Sequence, residues 1–468
     1  MPISLVTSPL RLPFVALSAV LWLAAPPPAI QAQDACPGDC DGDGVVTVAE
    51  VVTLVNIALG STSIATCPST DGDGDGSVSI AELIAAVQAA LSGCPSAPPL
   101  CPAFTVAPRN GARVLAGPGL VVQPGGAFVL ASGSTSVTAG SQPRASGEIF
   151  VHRYAANGAF LGQDRLALRQ RVILAPALAR LPNSGGVATW GEADPRDFES
   201  PITRLAVRRF GSNGSPLGSV ALAAAVPAGH ALSGPSVATD AGGDALLAWT
   251  DVQQVSSGGV VLRTMLRQQR PSGLLPAQPL ACFGDPSAVA PGAQLGAVCI
   301  AFELAPAQIA LRAFALAQGI PMAQFDIAAA TPPFSSIAAA ASSDRLVAVW
   351  RQPLDAVSDR SRVLAQVVDL AGAPLTAVIE VGTALETTVP PGVALLVDGS
   401  FAVAFGESPL LLRRFAADGT GQGEALVIAD TRVEALALAG DDAGNLVVAW
   451  RWLDVLARQV RALGGTCP

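Results

Sequence analysis

The chain has 468 residues, half of them hydrophobic and only 13% charged, with a formal net charge of −9. That length suits one small module joined to one large repetitive body. All 27 basic residues are arginine and only Arg11 precedes Arg109, so no basic stripe exists to meet nucleic-acid phosphates; beyond the N-terminus no run reaches the 18 or so apolar residues that a membrane span needs.

Residues 1–32 read as an export signal. Arg11 is the positive flank, Phe14 to Ala25 is an apolar run too short to cross a bilayer, and Ile30-Gln31-Ala32 offers a small-residue cleavage site. An uncleaved anchor is the alternative. Cys36 follows Gln33-Asp34-Ala35, which lacks the residues of a lipoprotein site. The expected location is secreted, periplasmic or extracellular, with no membrane span after cleavage. Eight cysteines in such a chain predict disulfides, because the compartment is oxidising. Thiolate metal binding fits poorly, since the spacing follows no zinc pattern and His152 and His230 are the sole histidines.

Residues 33–94 form an acidic module. It holds Asp34, Asp39, Asp41, Asp43, Glu50, Asp71, Asp73, Asp75 and Glu82 and no basic side chain. Beyond it, acids and arginines nearly cancel, so the net charge of the protein is local. Eight of these nine acids fall at the ligand positions of a twelve-residue calcium loop, which needs oxygens at positions 1, 3, 5, 7, 9 and 12 and glycine at 6. The first loop places Asp39, Asp41, Asp43, Val45 (by its carbonyl), Thr47 and Glu50 there, with Gly44 at the turn. The second places Asp71, Asp73, Asp75, Ser77 (by its carbonyl), Ser79 and Glu82, with Gly76 at the turn. Two calcium ions are the expected cofactors, because each loop crowds four carboxylates whose repulsion needs a cation. Val46 and Val78 occupy position 8, where a β-branched residue lets two loops pair by a short strand contact.

Each loop feeds one predicted helix. Ala49 to Leu59 is apolar at Val51, Leu54, Val55 and Ala58 and stops at Gly60; Ile80 to Leu91 is apolar at Leu83, Ile84, Val87 and Leu91 and stops at Ser92-Gly93. No helix precedes either loop. This loop-plus-exiting-helix duplication resembles the type I dockerin module, with residues 36–94 matching in ligand spacing. The sequence departs from it in having Glu at position 12, where dockerins often have Asp, and in the cysteines Cys36, Cys40, Cys67 and Cys94. The resemblance implies a cohesin-type partner selected through loop positions 10 and 11, here Val48-Ala49 and Ile80-Ala81.

Residues 95–104 are a stiff Pro-rich linker. From 105 to 468 the sequence repeats. A turn and an alternating apolar run ending in Ala-Trp or an equivalent occur as Gly126-Ala-Phe-Val-Leu-Ala-Ser132, Gly186-Val-Ala-Thr-Trp190, Asp244-Ala-Leu-Leu-Ala-Trp249 and Gly296-Ala-Val-Cys-Ile-Ala-Phe302. The pattern continues as Arg345-Leu-Val-Ala-Val-Trp350, Ser400-Phe-Ala-Val-Ala-Phe405 and Asn445-Leu-Val-Val-Ala-Trp450. Most copies are followed by an Arg-rich strand and a Gly turn, such as Leu412-Arg-Arg-Phe-Ala-Ala-Asp-Gly419. Seven units with four short strands each predict a mainly β protein, a seven-bladed β-propeller carrying a small α-helical calcium-loop module at its N-terminus. A tandem of β-sandwiches is the runner-up. The last unit stops near Val460, so Phe104 to Leu115 is expected to supply its fourth strand and bring Cys101 to Cys467. The pattern resembles propeller-like arrays of exported bacterial proteins, a likeness of architecture and not of activity.

For the propeller two functions compete: a non-catalytic platform for an extracellular glycan or protein ligand, and a glycan-active enzyme, either a hydrolase or a lyase. Glu192, Asp251, Glu303 and Glu407 follow the second strand of four units, and Arg351 and Arg451 follow it in two others, which places all six on one face. A solvated rim of loop charge is the simpler reading. No nucleophile elbow, phosphate loop or sialidase-type box is present, and the tryptophans mostly end repeat strands.

Overall fold

The protein is described by a computed structural model, over residues 36–41, 46–71, 76–92, 100–107, 114–138, 144–169, 171–194, 201–254, 259–280, 282–289, 295–304, 307–317, 320–330, 336–354, 360–385, 389–462 and 467. The chain divides into two compact units, Met1–Cys94 and Pro95–Pro468.

In the first unit, α1 (Val48–Ala58) and α2 (Ile80–Ser92) pack against each other. Thr47 caps α1 with a reciprocal capping box to Glu50, which satisfies two of the amides that a helix start leaves unpaired. Leu54, Ile57, Cys67 and Ala86 form the core between the helices, and the Cys40–Cys67 disulfide runs beside it. Gly38 is at φ +94°, and a Cβ there would stand 2.7 Å from that of Ala86, so neither backbone nor packing admits a larger residue. The segment between the helices holds two 3-10 turns, Ile64–Thr66 and Pro68–Thr70. Val46 is buried among Cys36 and Ala89, and Val78 packs with Leu83. Among the described residues no strand contact joins the two valines; their side chains serve the core instead.

The second unit is a seven-bladed β-propeller of seven antiparallel sheets. The inner strand of each blade packs on that of the next: Val114–Val122, Val172–Arg180, His230–Thr239, Phe283–Val289, Ile337–Ala341, Gly392–Leu395, Ala435–Gly440, and back to the first. Inner strands are crowded, which their residues explain. Pro118, Pro176, Pro235 and Pro286 sit where the inner strands of blades 1 to 4 slip register, a position where a missing amide costs no ladder bond. The second strands are covered on both faces: Gly186–Ala193 and Phe401–Phe405 are buried throughout. That double burial corrects the expectation of alternation: the runs are continuously covered instead of facing core and solvent by turns.

The ring closes at the seam the sequence predicts, by a shorter strand than Phe104 to Leu115, since Leu115 already belongs to the inner strand of blade 1. Phe104–Ala107 pairs antiparallel with Val455–Val460 and completes the seventh blade. Leu100 bridges Val460 and the Cys101 amide donates to the Gln459 carbonyl, so the end of the Pro-rich linker already belongs to the propeller. Cys101 and Cys467 are disulfide-bonded at this seam, and Cys282–Cys299 ties the inner strand of blade 4 to its second strand. Three described disulfides suit an oxidising compartment. No described helix is long and apolar enough to cross a membrane.

The paired arginines of the repeat clasp neighbouring blades. Arg413 donates to the Val381 carbonyl of blade 5 at 3.0 Å, and Arg267 and Arg208 reach Ala223 and Leu166 of their own preceding blades. The next residue reaches forward: Arg414 donates to Gly444 at 3.1 Å and Arg209 to Gly243 at 2.8 Å. Charge-assisted bonds to carbonyls use arginine's several donors where lysine would offer a point charge.

In blade 1 the corresponding pair is His152 and Arg153. His152 is buried and hydrogen-bonded through Nε2 to Ser132 Oγ at 2.8 Å, and burial pushes its pKa down to about 4. The unfolded chain therefore takes up a proton near pH 6.5 that the folded propeller refuses until about pH 4. Stability is expected to fall as pH drops through that window, by about 3 kcal/mol once it is crossed. Denaturant unfolding at pH 7 and pH 4.5 checks this; His152→Gln removes that part of the pH dependence if the histidine is its source.

Candidate functional site

The carboxylates of Asp39, Asp41 and Glu50 converge, with one oxygen of each within 4.8 Å of the others. They come together because the turn at Cys36–Asp39 and the start of α1 are drawn to one point. The Cys40 amide donates to Glu50 Oε1 at 2.8 Å, and the Thr47 amide donates to Glu50 Oε2 at 2.7 Å. The Thr47 hydroxyl donates to Oε2 as well, at 2.8 Å. The Thr47 amide is the largest cause holding the Glu50 carboxyl below its usual range; desolvation opposes it, and the Cys40 amide adds to it. Asp43 and Val45, predicted at positions 5 and 7, lie outside the described residues.

The second loop repeats these contacts. The Ser79 amide donates to Glu82 Oε2 at 2.7 Å, as Thr47 does to Glu50, and the Glu82 amide donates back to Ser79 Oγ. Asp71 Oδ2 accepts from the Gly76 amide at 2.9 Å, and Gly76 stands at φ +84°, the left-handed turn that position 6 requires. Ser77 follows in a bend. Asp73 and Asp75 lie outside the described residues.

This donor set fits a hard divalent cation. The converging ligands are oxygens, the described cysteines of the module are all disulfide-bonded, and no arginine or lysine lies between residues 33 and 94 to neutralise the acids.

The helix reading needs one correction. Val55, Ile84, Val87 and Leu91, predicted on the apolar core faces, are exposed; Ile57, Ala86 and Ala89 take the core with Leu54. The exposed residues form two matching stripes, Val48, Val52, Val55 and Leu59 on α1, and Ile80, Ile84, Val87 and Leu91 on α2. Their spacing is that of one helix face. Val48 and Ile80, at loop position 10, are 78% and 77% exposed and so are not core.

On the propeller, the six charged positions at the ends of the second strands share one end of the blades, and the five whose side chains are described are paired or buried and not a simple rim of solvated charge. Glu192 is fully buried, with Oε1 accepting from Arg169 Nε at 2.8 Å and Trp190 Nε1 at 3.2 Å, and Arg171 lies 3.9 Å from Oε2. It ties the outer strand of blade 1 to blade 2. Asp251 Oδ1 is 2.9 Å from His230 Nδ1, both mostly buried. Glu407 pairs with Arg432, and Arg451 with Glu434. Arg351 is fully buried, and the Glu303 backbone stands in register with that of Gln308 on the next strand of blade 4. Replacing Glu192 by alanine strands Arg169 and Arg171 and is expected to cost about 3 kcal/mol; chemical denaturation of E192A reads it, and a loss below about 1 kcal/mol contradicts the strut.

No protein-family model and no curated protein matches the chain. Among solved structures, a protein of unknown function from Dyadobacter fermentans aligns at 12% identity over 61% of this chain and 93% of that one, with TM-score 0.43. An α-L-arabinanase of Penicillium chrysogenum, solved with arabinobiose, aligns at 11% over 78% and 99%, TM-score 0.44. The β-propeller domain of the Trilobed protease from Pyrococcus furiosus aligns at 11% over 76% and 94%, TM-score 0.39. Each falls short of carrying an argument about activity. The propeller assignment rests on the seven sheets of the chain itself.

Proposed function

We propose that this is an extracellular calcium-binding modular protein, in which two calcium ions hold the N-terminal module folded and the propeller serves as a recognition platform. The observation that carries this reading is the convergence of Asp39, Asp41 and Glu50 oxygens to within 4.8 Å of one another in a segment without a basic side chain. In the first site the ion is held by Asp39, Asp41, Asp43, Thr47, Glu50 and the Val45 carbonyl; in the second by Asp71, Asp73, Asp75, Ser79, Glu82 and the Ser77 carbonyl. The dockerin likeness adds a protein partner of cohesin type, for which the two apolar helix stripes are the exposed surface. Calorimetric titration of chelator-stripped protein tests the calcium reading. Two ions per chain are expected, falling to one in D39N/E50Q and to one in D71N/E82Q; a chain that takes up no calcium removes it.

The platform reading is preferred to the glycan-active enzyme because the candidate acids are committed. Glu192 is sealed from solvent under two guanidinium groups, and Glu407 is held by Arg432. A general acid needs access to substrate and a proton to give.

A further inference from the structure

The position two residues past the strand-ending aromatic is acidic in three blades: Glu192 after Trp190, Asp251 after Trp249 and Glu407 after Phe405. In blade 7 the same position holds Trp452, on the short turn after Leu446–Arg451. This indole is only partly buried, and Leu453 beside it is half exposed. It is therefore set apart from Trp190, Trp249, Trp350 and Trp450, all buried in blade cores.

What surrounds Trp452 is arranged across the blade 6–blade 7 seam. The Arg432 guanidinium lies 5.5 Å from the ring centroid and is held there by Glu407 Oε1 at 2.5 Å. Glu434 and Arg451 pair at 2.7 Å, and the Glu434 amide donates to the Arg451 carbonyl, which fixes both beside the turn. Arg432 remains 61% exposed, so most of its N–H donors face solvent. The Trp452 amide donates to the Asp454 carbonyl, so the turn itself holds the ring out.

The cluster's charges decide what it can take. Its two guanidinium groups are matched by two carboxylates, and Asp454 follows on the turn, so no surplus cation remains for a phosphate or a uronate. Arg432 covers one face of the indole, and its guanidinium repels a cationic ligand from the rest of the ring. What remains is an apolar aromatic surface ringed by fixed planar donors and acceptors. That chemistry suits a neutral, polyhydroxylated ring, with its C–H face on the indole and its hydroxyls bonded to carboxylate and guanidinium.

We infer that the blade 6–blade 7 seam is a neutral-saccharide subsite, with Trp452 as its platform and Glu407, Arg432, Glu434 and Arg451 as its hydrogen-bonding rim. It rests on the platform reading of the propeller and gives that platform a ligand class. The test is affinity electrophoresis of the full chain in native gels containing arabinan, xylan, galactomannan or mixed-linkage β-glucan, with polygalacturonate as the anionic control. Retardation is expected in at least one neutral gel and none in polygalacturonate; W452A weakens it at least tenfold, and W452F restores most of it. Both variants are first shown to unfold at the wild-type temperature, which a turn residue outside the blade cores should permit. Retardation that W452A leaves intact overturns this site but not the platform reading. No retardation in any neutral gel, or retardation in polygalacturonate alone, overturns the saccharide assignment. Cleavage of the retarding polysaccharide overturns the platform reading itself.

Discussion

Removing the Cys101–Cys467 disulfide is expected to lower the stability of the propeller by about 6 kcal/mol, among the largest losses available to any pair of substitutions in this chain. The bond closes a loop spanning 366 residues, and the entropy that a cross-link removes from the unfolded chain grows with the logarithm of loop length. A second cost is local. Phe104–Ala107 is held to Val455–Val460 by one short strand pairing, and Val106 packs with Val455 and Ala457 beneath it. Once the bond is cut, that strand is tethered on one side only, and its release leaves Val455–Val460 as an open edge in a propeller that otherwise has each blade complete. The measurement is thermal and denaturant unfolding of C101S/C467S beside C282S/C299S, which opens a loop spanning only 17 residues and is worth about 3 kcal/mol by the same treatment. The seam variant should lose more, and should also become sensitive to proteolysis near residue 104. If the two double variants lose equal stability, closure of the ring is not what the seam disulfide contributes.

Much of this fold was legible because its physics is local and repeated. A second strand covered on both faces draws apolar residues at nearly every position, so runs such as Ala245 to Trp249 and Leu446 to Trp450 recur in the seven units with a turn before each. The missing strand of the last unit was legible for the same reason, since a unit that ends at Val460 has an unpaired edge that something must fill. The charged end of the blades was not. Glu192 meets Arg169 and Arg171 across a blade boundary, and nothing in the spacing of 21 to 23 residues marks the three as one buried group. The same holds for Arg432, which reaches back to Glu407 in blade 6 and over Trp452 in blade 7. A signal did exist in the sequence: Trp452 stands where other blades place an acid, and it follows Trp450 too closely to share its core. On the helices the failure was of another kind. Val48, Val52, Val55 and Leu59 oppose Leu54 and Ile57, so the helix is apolar on both faces and its periodicity cannot say which face is inward. Two short helices simply lack enough partner surface to cover both.

Calcium removal is expected to unfold the N-terminal module. Its core is small, with Leu54, Ile57, Cys67 and Ala86 at the centre, and much of the aliphatic surface of both helices stays in water. Burial on that scale cannot offset the chain entropy of some 60 residues, which is why small modules depend on metals and disulfides. The start of each helix is also tied to its loop acid: Glu50 caps α1 through Thr47 and anchors the Cys40 amide, and Glu82 bonds the Ser79 amide at the head of α2. Without a cation, Asp39, Asp41 and Glu50 repel one another at the same points where the helices begin, and no basic side chain in the module relieves them. A ligand that binds only the folded state stabilises it by about 2.7 kcal/mol at a hundredfold excess over Kd, so the two proposed sites, each at such an excess of calcium, would supply roughly 5 kcal/mol together. Adding a chelator should therefore abolish the module's calorimetric transition and the helical circular dichroism of α1 and α2, with Cys40–Cys67 keeping the unfolded segment compact. D39N/E50Q should reproduce half of that loss in calcium. A module that melts at the same temperature with and without chelator is held by its disulfides alone, and its acids then have another purpose.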